Sequence, residues 1–515
     1  MQWNNNSKVI AKNTLLLYFR MIVTMIISLY TSRVILHVLG ITDYGIYQAV
    51  GGIVGFLSFV NHALSVGSSR YISYGLGENN IEKLRKIFSS TLTAHIILAI
   101  FIIVLAESVG LWFLYNKLNI PHERLDAAVV VFHLSVVTAF FSLTQVPYHA
   151  CIVAYERFKL FAYISVLDSV LKLSIVYAVS FVSYDKLYVY ALLLCLLQIG
   201  TMLYYRVYCR KYFDETNFKF GIDKAIFKEV AGFSGWSLFA SSSIALNSQG
   251  ILILLNMFFS PAVVAARALS IQINMAANQL MSNFQTAATP KIVKLYAAKN
   301  YEESKKLLLQ TTRFSYYLML LMSLPICLAA EPLMEFWLGN VPEYSVPFLQ
   351  IIIIQSLFQV FDTSFYRALY AKGQLRENAL LSPMILFAGF PVVYFLFVAG
   401  YSPVALSWVS LIAYAILGIV IKPILIIRIA DFTWKDIWSV FAPCINVTIG
   451  SFIIPLILYI YFNDVLGDLI FVISLVFICI ISVFFSVWFL GISKPMRCEL
   501  IKVVKSKCFE MRKDS

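Results

Sequence analysis

Residues 13–38 read NTLLLYFRMIVTMIISLYTSRVILHV, an apolar run that carries two arginines, Arg20 and Arg33. At about 100° per residue, Asn13, Arg20, Thr24, Ser28 and Thr31 share a sector of roughly 80°, whereas Arg33 lies about 140° from Arg20. Arg33 is near the far end of the run, where its long stem can carry the guanidinium to the lipid headgroups. Arg20 is about 10 Å up the helix from Asn13. Facing lipid tails there would cost about 2.5–3.5 kcal/mol. Its polar stripe points to a wet cavity instead, with a structural partner on a neighbouring helix as the alternative.

Residues 262–286 are the most polar of the apolar runs. Arg267, Asn274, Asn278 and Gln285 keep to one narrow stripe, and Gln272, Gln279, Asn283 and Thr286 form a second. Amides both donate and accept, which suits sugar hydroxyls, and an arginine fork suits a phosphate. Hydrogen bonding between helices is the competing use, expected of one of the two stripes. Ser234, Ser237, Ser241 and Ser248 lie on one face of the preceding run, as a polar lining or as close helix packing. Asp168 and Lys172, one turn apart, either neutralise each other or meet a substrate. Gln355, Gln359, Asp362 and Tyr366 share a face. Asp362 is the best carboxylate for coupling to H+ or Na+, unless Arg367 simply pairs with it. The candidate substrate-binding residues are therefore Arg20, Thr24, Arg267, Asn274, Asn278 and Gln285. The candidates for ion coupling are Asp362, Asp168 and Lys172.

Catalytic chemistry finds little support. The six histidines are scattered, and the eight cysteines show no CxxC or metal-ligand spacing and read as small core residues. No Walker A motif occurs, and GLG at 75–77 lacks a strand–helix context. A membrane glycosyltransferase or polymerase would need a sizeable extramembrane loop, yet the longest outer connection runs about from Tyr115 to Asp126. No cofactor, metal or nucleic acid is expected, and the chain reads as a non-enzyme.

The elements that carry these residues follow from composition. The 515-residue chain is 60% hydrophobic and 13% charged, with a mean hydropathy of +0.81; a soluble domain carries roughly 25% charged residues. Apolar runs of about 20 residues, long enough to cross the hydrocarbon core as helices, recur throughout. We expect an all-α polytopic membrane protein with fourteen spans. They fall at 13–37, 44–66, 90–114, 127–150, 160–182, 187–207, 231–257, 262–286, 314–338, 346–369, 379–399, 404–427, 438–461 and 468–490. The first run is too long for a signal peptide and lacks a cleavage site, so it is expected to be retained. With a cytoplasmic N-terminus, 33 of the 40 Lys and Arg fall in the inner segments and the flanks of the spans that border them, Arg206, Arg367 and Lys422 among the flanks. Only Lys117, Arg124 and Lys186 fall on the outer, and Arg20, Arg33, Lys172 and Arg267 lie within spans. This bias places both termini in the cytoplasm, and it explains the net charge of +13 without nucleic acid.

The second half echoes the first. LGENNIEKLRKIFSST (76–91) matches AKNYEESKKLLLQTT (298–312), and AYERFK (154–159) falls on AKGQLR (371–376), an offset near 220. Six spans per repeat give parallel repeats, and a central cleft between two such lobes is a common substrate site. The expected organisation is an N-lobe at 1–215, a C-lobe at 216–430, an appended helix pair at 431–493 and a basic cytoplasmic tail at 494–515.

With SRVILHVLGITDYGIYQAVGGI (32–53), AYERFKLFAYISVLDSVLKL (154–173) and this plan of six, six and two spans, the chain resembles the Wzx-type polysaccharide or O-antigen flippases. These belong to the multidrug/oligosaccharidyl-lipid/polysaccharide (MOP) exporter superfamily. The resemblance implies a MATE-like two-lobe fold in a bacterial inner membrane. It implies alternating access that moves an undecaprenyl-diphosphate-linked oligosaccharide, a repeat unit of polysaccharide or lipopolysaccharide, from the cytoplasmic to the periplasmic leaflet. Membrane lipids and other polysaccharide-assembly proteins would be its partners. Two rivals come from the same superfamily. A multidrug or cation antiporter typically lacks the last two spans and often uses an acid in span 1, where this chain has Arg20. A peptidoglycan-precursor flippase would use the extra pair as a groove for the polyprenyl tail.

Overall fold

The computed structural model describes residues 2–57, 72, 81–155, 157–221, 223, 242, 245–374, 376–461, 469–492 and 497, with side chains from Phe19 onward. Among the described residues the regular structure is entirely helical. Lipid supplies no hydrogen bonds to backbone amides, so a spanning segment must satisfy them internally. The chain forms two compact units. One comprises Met1–Leu269, Pro342–Ser345 and Leu386–Pro403, and the other Ser270–Val341, Val346–Ile385 and Val404–Ser515.

The first unit contains α1 (Gln2–Leu57), α2 (Ile81–Lys117), α3 (Leu125–Ala154), α4 (Phe158–Ser180), α5 (Lys186–Tyr212) and α6 (Ile251–Phe258). α1 breaks at Gly40, whose φ of 81° and ψ of 168° suit glycine and no helix. The break falls between the first two expected spans. Beyond it, Ile46 and Val50 pack with Phe132 and Leu187 in one core cluster. A second cluster gathers Phe88, Tyr148, Cys151 and Phe213. Beside the first cluster, Arg124 binds two carboxylates. Its Nε donates to Asp43 at 2.8 Å and its Nη1 to Asp185 at 2.6 Å. Asp185 also caps α5 by accepting from the Leu187 amide at 3.0 Å. Burial works to raise the Asp185 pKa, but the hydrogen bond and charge of Arg124 hold it below the usual carboxylate value.

The second unit holds most of α7 (Pro261–Ala297), then α8 (Tyr301–Leu328), α9 (Ala330–Leu338), α10 (Ser345–Lys372), the start of α11 (Arg376–Val398), α12 (Ala405–Ala430), α13 (Trp434–Tyr461) and α14 (Leu469–Ser486). The chain turns by 80° between α8 and α9. The C-terminal helix pair docks on α8: Tyr316 Oη meets Thr448 Oγ1 at 2.9 Å, and Tyr317 Oη donates to the Gly491 carbonyl at 3.2 Å.

Ten helices among the described residues are long and apolar enough to cross a membrane, or eleven if α8 and α9 form one span. The difference from fourteen has identifiable sources. The first two expected spans merge across Gly40, α7 carries too many amides to count as apolar, and most of the 231–257 run lies outside the described residues.

One junction is built twice. In the first unit Arg85 Nη2 donates to the Asp214 carbonyl at 3.3 Å, and Tyr155 stacks on Phe213 at 4.2 Å. In the second, Lys305 Nζ sits 5.2 Å from the Phe432 ring centroid, and Lys372 donates to the Ile429 carbonyl. Arg85 and Lys305, Tyr155 and Lys372, and Phe213 and Phe432 are each separated by the repeat offset.

Candidate functional site

The candidate residues form separate clusters: Arg20, Asp168, Lys172 and Arg267 belong to the first unit, and Asn274, Asn278, Gln285 and Asp362 to the second. Arg20 on α1 is held by α4: its Nη1 donates to Ser165 Oγ at 3.3 Å, and the guanidinium carbon lies 4.5 Å from the Phe161 ring centroid. The Nε finds no hydrogen-bond partner. One weak bond and one ring contact leave most of the donor fork uncommitted. Thr24 turns its hydroxyl to the Met21 carbonyl at 3.1 Å, and Arg33 is exposed. The Asn13 side chain, Ser234, Ser237 and Ser241 lie outside the described residues. Further along α4, Lys172 Nζ and Asp168 Oδ2 are 2.7 Å apart, the i,i+4 pair that their spacing predicts.

Arg267 is buried on α7, only 3% exposed. The stripe it heads is committed to α10. Asn278 Nδ2 donates to Asn274 Oδ1 at 2.9 Å and to Ser356 Oγ at 3.0 Å, and Ser356 donates to Asn274 at 2.6 Å. Gln285 Nε2 donates to Ser364 Oγ at 2.7 Å. The helix–helix role expected of one stripe therefore falls on Asn274, Asn278 and Gln285. On the other stripe, Gln279 and Thr286 are exposed.

Asp362 is paired, but not with Arg367. Its Oδ1 lies 3.0 Å from Lys422 Nζ on α12. Lys422 also donates to Asn378 Oδ1 and lies 5.5 Å from the Tyr366 ring centroid. Arg367 donates instead to Gln285 Oε1 at 3.1 Å and to Thr289 Oγ1. The reason is geometric: five residues on a helix separate side chains by about 140°, so Asp362 and Arg367 face different neighbours. Close packing brings Lys422 in. A Cβ on Gly418 would collide with the Phe358 carbonyl, and one turn beyond each of these residues stand Lys422 and Asp362. Hydropathy alone made Lys422 a flank of its span. The available signal was its position inside the 404–427 run. Among the described residues no group of three His, Cys, Asp or Glu could hold a metal ion.

The MatE family model matches residues 17–178 and again 238–395, two segments displaced by about 220 residues. No curated protein matches. Among solved structures, an inward-facing multidrug resistance MATE transporter of the MOP superfamily aligns with a TM-score of 0.68 at 15% identity, covering 81% of this chain and 98% of its own. The lipid II flippase MurJ, in an inward closed conformation, aligns with a TM-score of 0.70 at 12% identity, covering 92% and 98%. A MOP superfamily transporter from Pyrococcus furiosus, described as having a binding pocket of reversed polarity, aligns with a TM-score of 0.59 at 15% identity, covering 82% and 97%.

Proposed function

The chain belongs to the MatE family and is a multi-pass membrane transporter of the MOP superfamily, and from that premise we propose that its cargo is an undecaprenyl-diphosphate-linked oligosaccharide. The glycan and diphosphate enter from the cytoplasm, the polyprenyl tail stays in lipid, and alternating access delivers the unit to the periplasmic leaflet of a bacterial inner membrane. One observation carries this reading over the multidrug antiporter. The alignment with the lipid II flippase covers 92% of the chain, more than residues 1–430 can supply, whereas the alignment with the multidrug transporter covers 81%. At least part of the chain beyond residue 430 thus aligns with the lipid II flippase, which supports the reading. Arg20 supports the same choice, because a cation within span 1 repels cationic drugs and attracts a diphosphate. The same alignment favours a second reading, a flippase of peptidoglycan precursor.

We assign the diphosphate to Arg20 and Arg267, with Thr24 beside the first. The glycan falls to the polar side chains of α7, in which Asn274, Asn278 and Gln285 position the helix and the exposed Gln279 presents its amide. The test is flipping of fluorescent polyprenyl-diphosphate sugars in proteoliposomes, with peptidoglycan precursor and a cationic dye as rival cargoes. Arg20→Ala is expected to abolish flipping while the protein still inserts. Arg20→Lys restores it only in part, because an ammonium lacks the bidentate fork. Efflux of the dye with no movement of either lipid-linked sugar would overturn the reading.

A further inference from the structure

A groove of about 710 Å³ runs between α4 and α5 in the first unit. Its walls are aliphatic and aromatic, with Leu167 and Leu171 on α4 facing Leu196 and Tyr204 on α5. On α4 the lining reaches from Leu160 to Ala178, about 27 Å of helix at 1.5 Å per residue. That nearly matches the roughly 30 Å hydrocarbon core. Gly200 forms part of the α5 wall, and a Cβ added there would meet nothing within 4 Å.

Asp168 is the one charged residue that lines the groove, and it joins two surfaces. Phe161, Ser165, Asp168 and Lys172 fall within about 60° of one another around α4. This seam holds the Arg20 guanidinium, on Phe161 and Ser165, and the Lys172 ammonium, on Asp168. Two cations against one carboxylate leave it net positive. Ser165 lies about 10 Å along α4 from Phe158, and Lys172 about 12 Å from Ser180. Both cations are thus anchored inside the hydrocarbon depth. A resident phospholipid keeps its phosphate at the interface. A phosphate that passes this depth belongs to an amphiphile in transit.

We infer that the α4–α5 groove holds the polyprenyl chain of the substrate while its phosphates travel along the Arg20–Lys172 seam. The inference rests on the lipid-linked reading above and gives the tail to the α4–α5 groove rather than to the C-terminal helix pair, which the resemblance to peptidoglycan-precursor flippases suggests. The test uses the full-length chain in nanodiscs. One probe is a polyprenyl phosphate with a diazirine on its last isoprene, and the other a phosphatidylglycerol with a diazirine on its acyl chain. The prenyl probe is expected to label α4 and α5 peptides saturably, with displacement by unlabelled polyprenyl phosphate and not by phosphatidylglycerol. Gly200→Phe, which fills the groove, should cut this labelling about tenfold, the loss of roughly two buried methylenes. Gly200→Ala should leave it unchanged. Saturable prenyl labelling confined to α13 and α14 would overturn the groove and leave the flippase reading intact. So would equal labelling by both probes that polyprenyl phosphate fails to displace. No saturable prenyl labelling anywhere would overturn both. Peptide mapping of the unaltered chain decides among these outcomes even if Gly200→Phe folds poorly.

Discussion

Lys422 is 2% exposed and has a carboxylate, an amide oxygen and an aromatic ring around its ammonium. A buried cation of this kind is stable only while its acceptors remain, and losing the charged one typically costs about 3–5 kcal/mol. Asp362→Leu should therefore lower the melting temperature sharply in detergent. Adding Lys422→Met should recover most of the loss, because an apolar pair of similar volume replaces the ions. Asp362→Asn keeps an acceptor oxygen in place, so it should fold and bind substrate yet transport without response to an imposed H+ or Na+ gradient. Gradient-dependent transport by the Leu/Met double variant would remove Asp362 from coupling. Sequence spacing made Asp362 visible, since its face with Gln355, Gln359 and Tyr366 is a local property. Its partner was not visible, because Lys422 lies sixty residues on and only tertiary packing joins them. The Asp168–Lys172 pair, one turn apart, needed no tertiary information.

Helix contacts set these distances, and at Gly418 α12 approaches the backbone of α10 closely. The atom that an added Cβ would meet there is the Phe358 carbonyl, which cannot rotate away as a side chain end can. Gly418→Ala should force α12 outward and cost about 1–3 kcal/mol, as overpacking does, while lengthening the Asp362–Lys422 contact. Gly51→Ala is the matched control, since nothing lies within 4 Å of its added Cβ. Equal melting temperatures for the two variants would show that α10 and α12 do not depend on this approach. The amide stripes of α7 teach the limit of reading one helix at a time. Periodicity separated Gln285 from Gln279 correctly, but it could not say which stripe meets α10. That choice was made by Ser356 and Ser364, small hydroxyl residues on another helix that carry no signal of their own.

Across the whole chain, the all-α membrane architecture and its internal repeat were legible in hydropathy and loop charge, because both are set by the bilayer rather than by particular contacts. The repeated junction, Arg85 on the Asp214 carbonyl in one unit and Lys305 on the Phe432 ring in the other, was only half legible. Basic residues recur at the repeat offset, but the aromatic partners differ in sequence context. The orientation that we propose from the basic asymmetry puts Glu123 outside and Ala298 inside. A cysteine at Glu123 should label with an impermeant maleimide in intact cells, and one at Ala298 only after permeabilisation; the reverse pattern would invert the topology. The Arg124 clamp finally dictates an order of events during synthesis. Asp43 leaves the ribosome 81 residues before Arg124, and Asp185 follows it by 61. The arginine can therefore meet Asp43 before Asp185 has been made. The second carboxylate arrives only with the start of α5, so the clamp on Arg124 is complete only once that helix has begun.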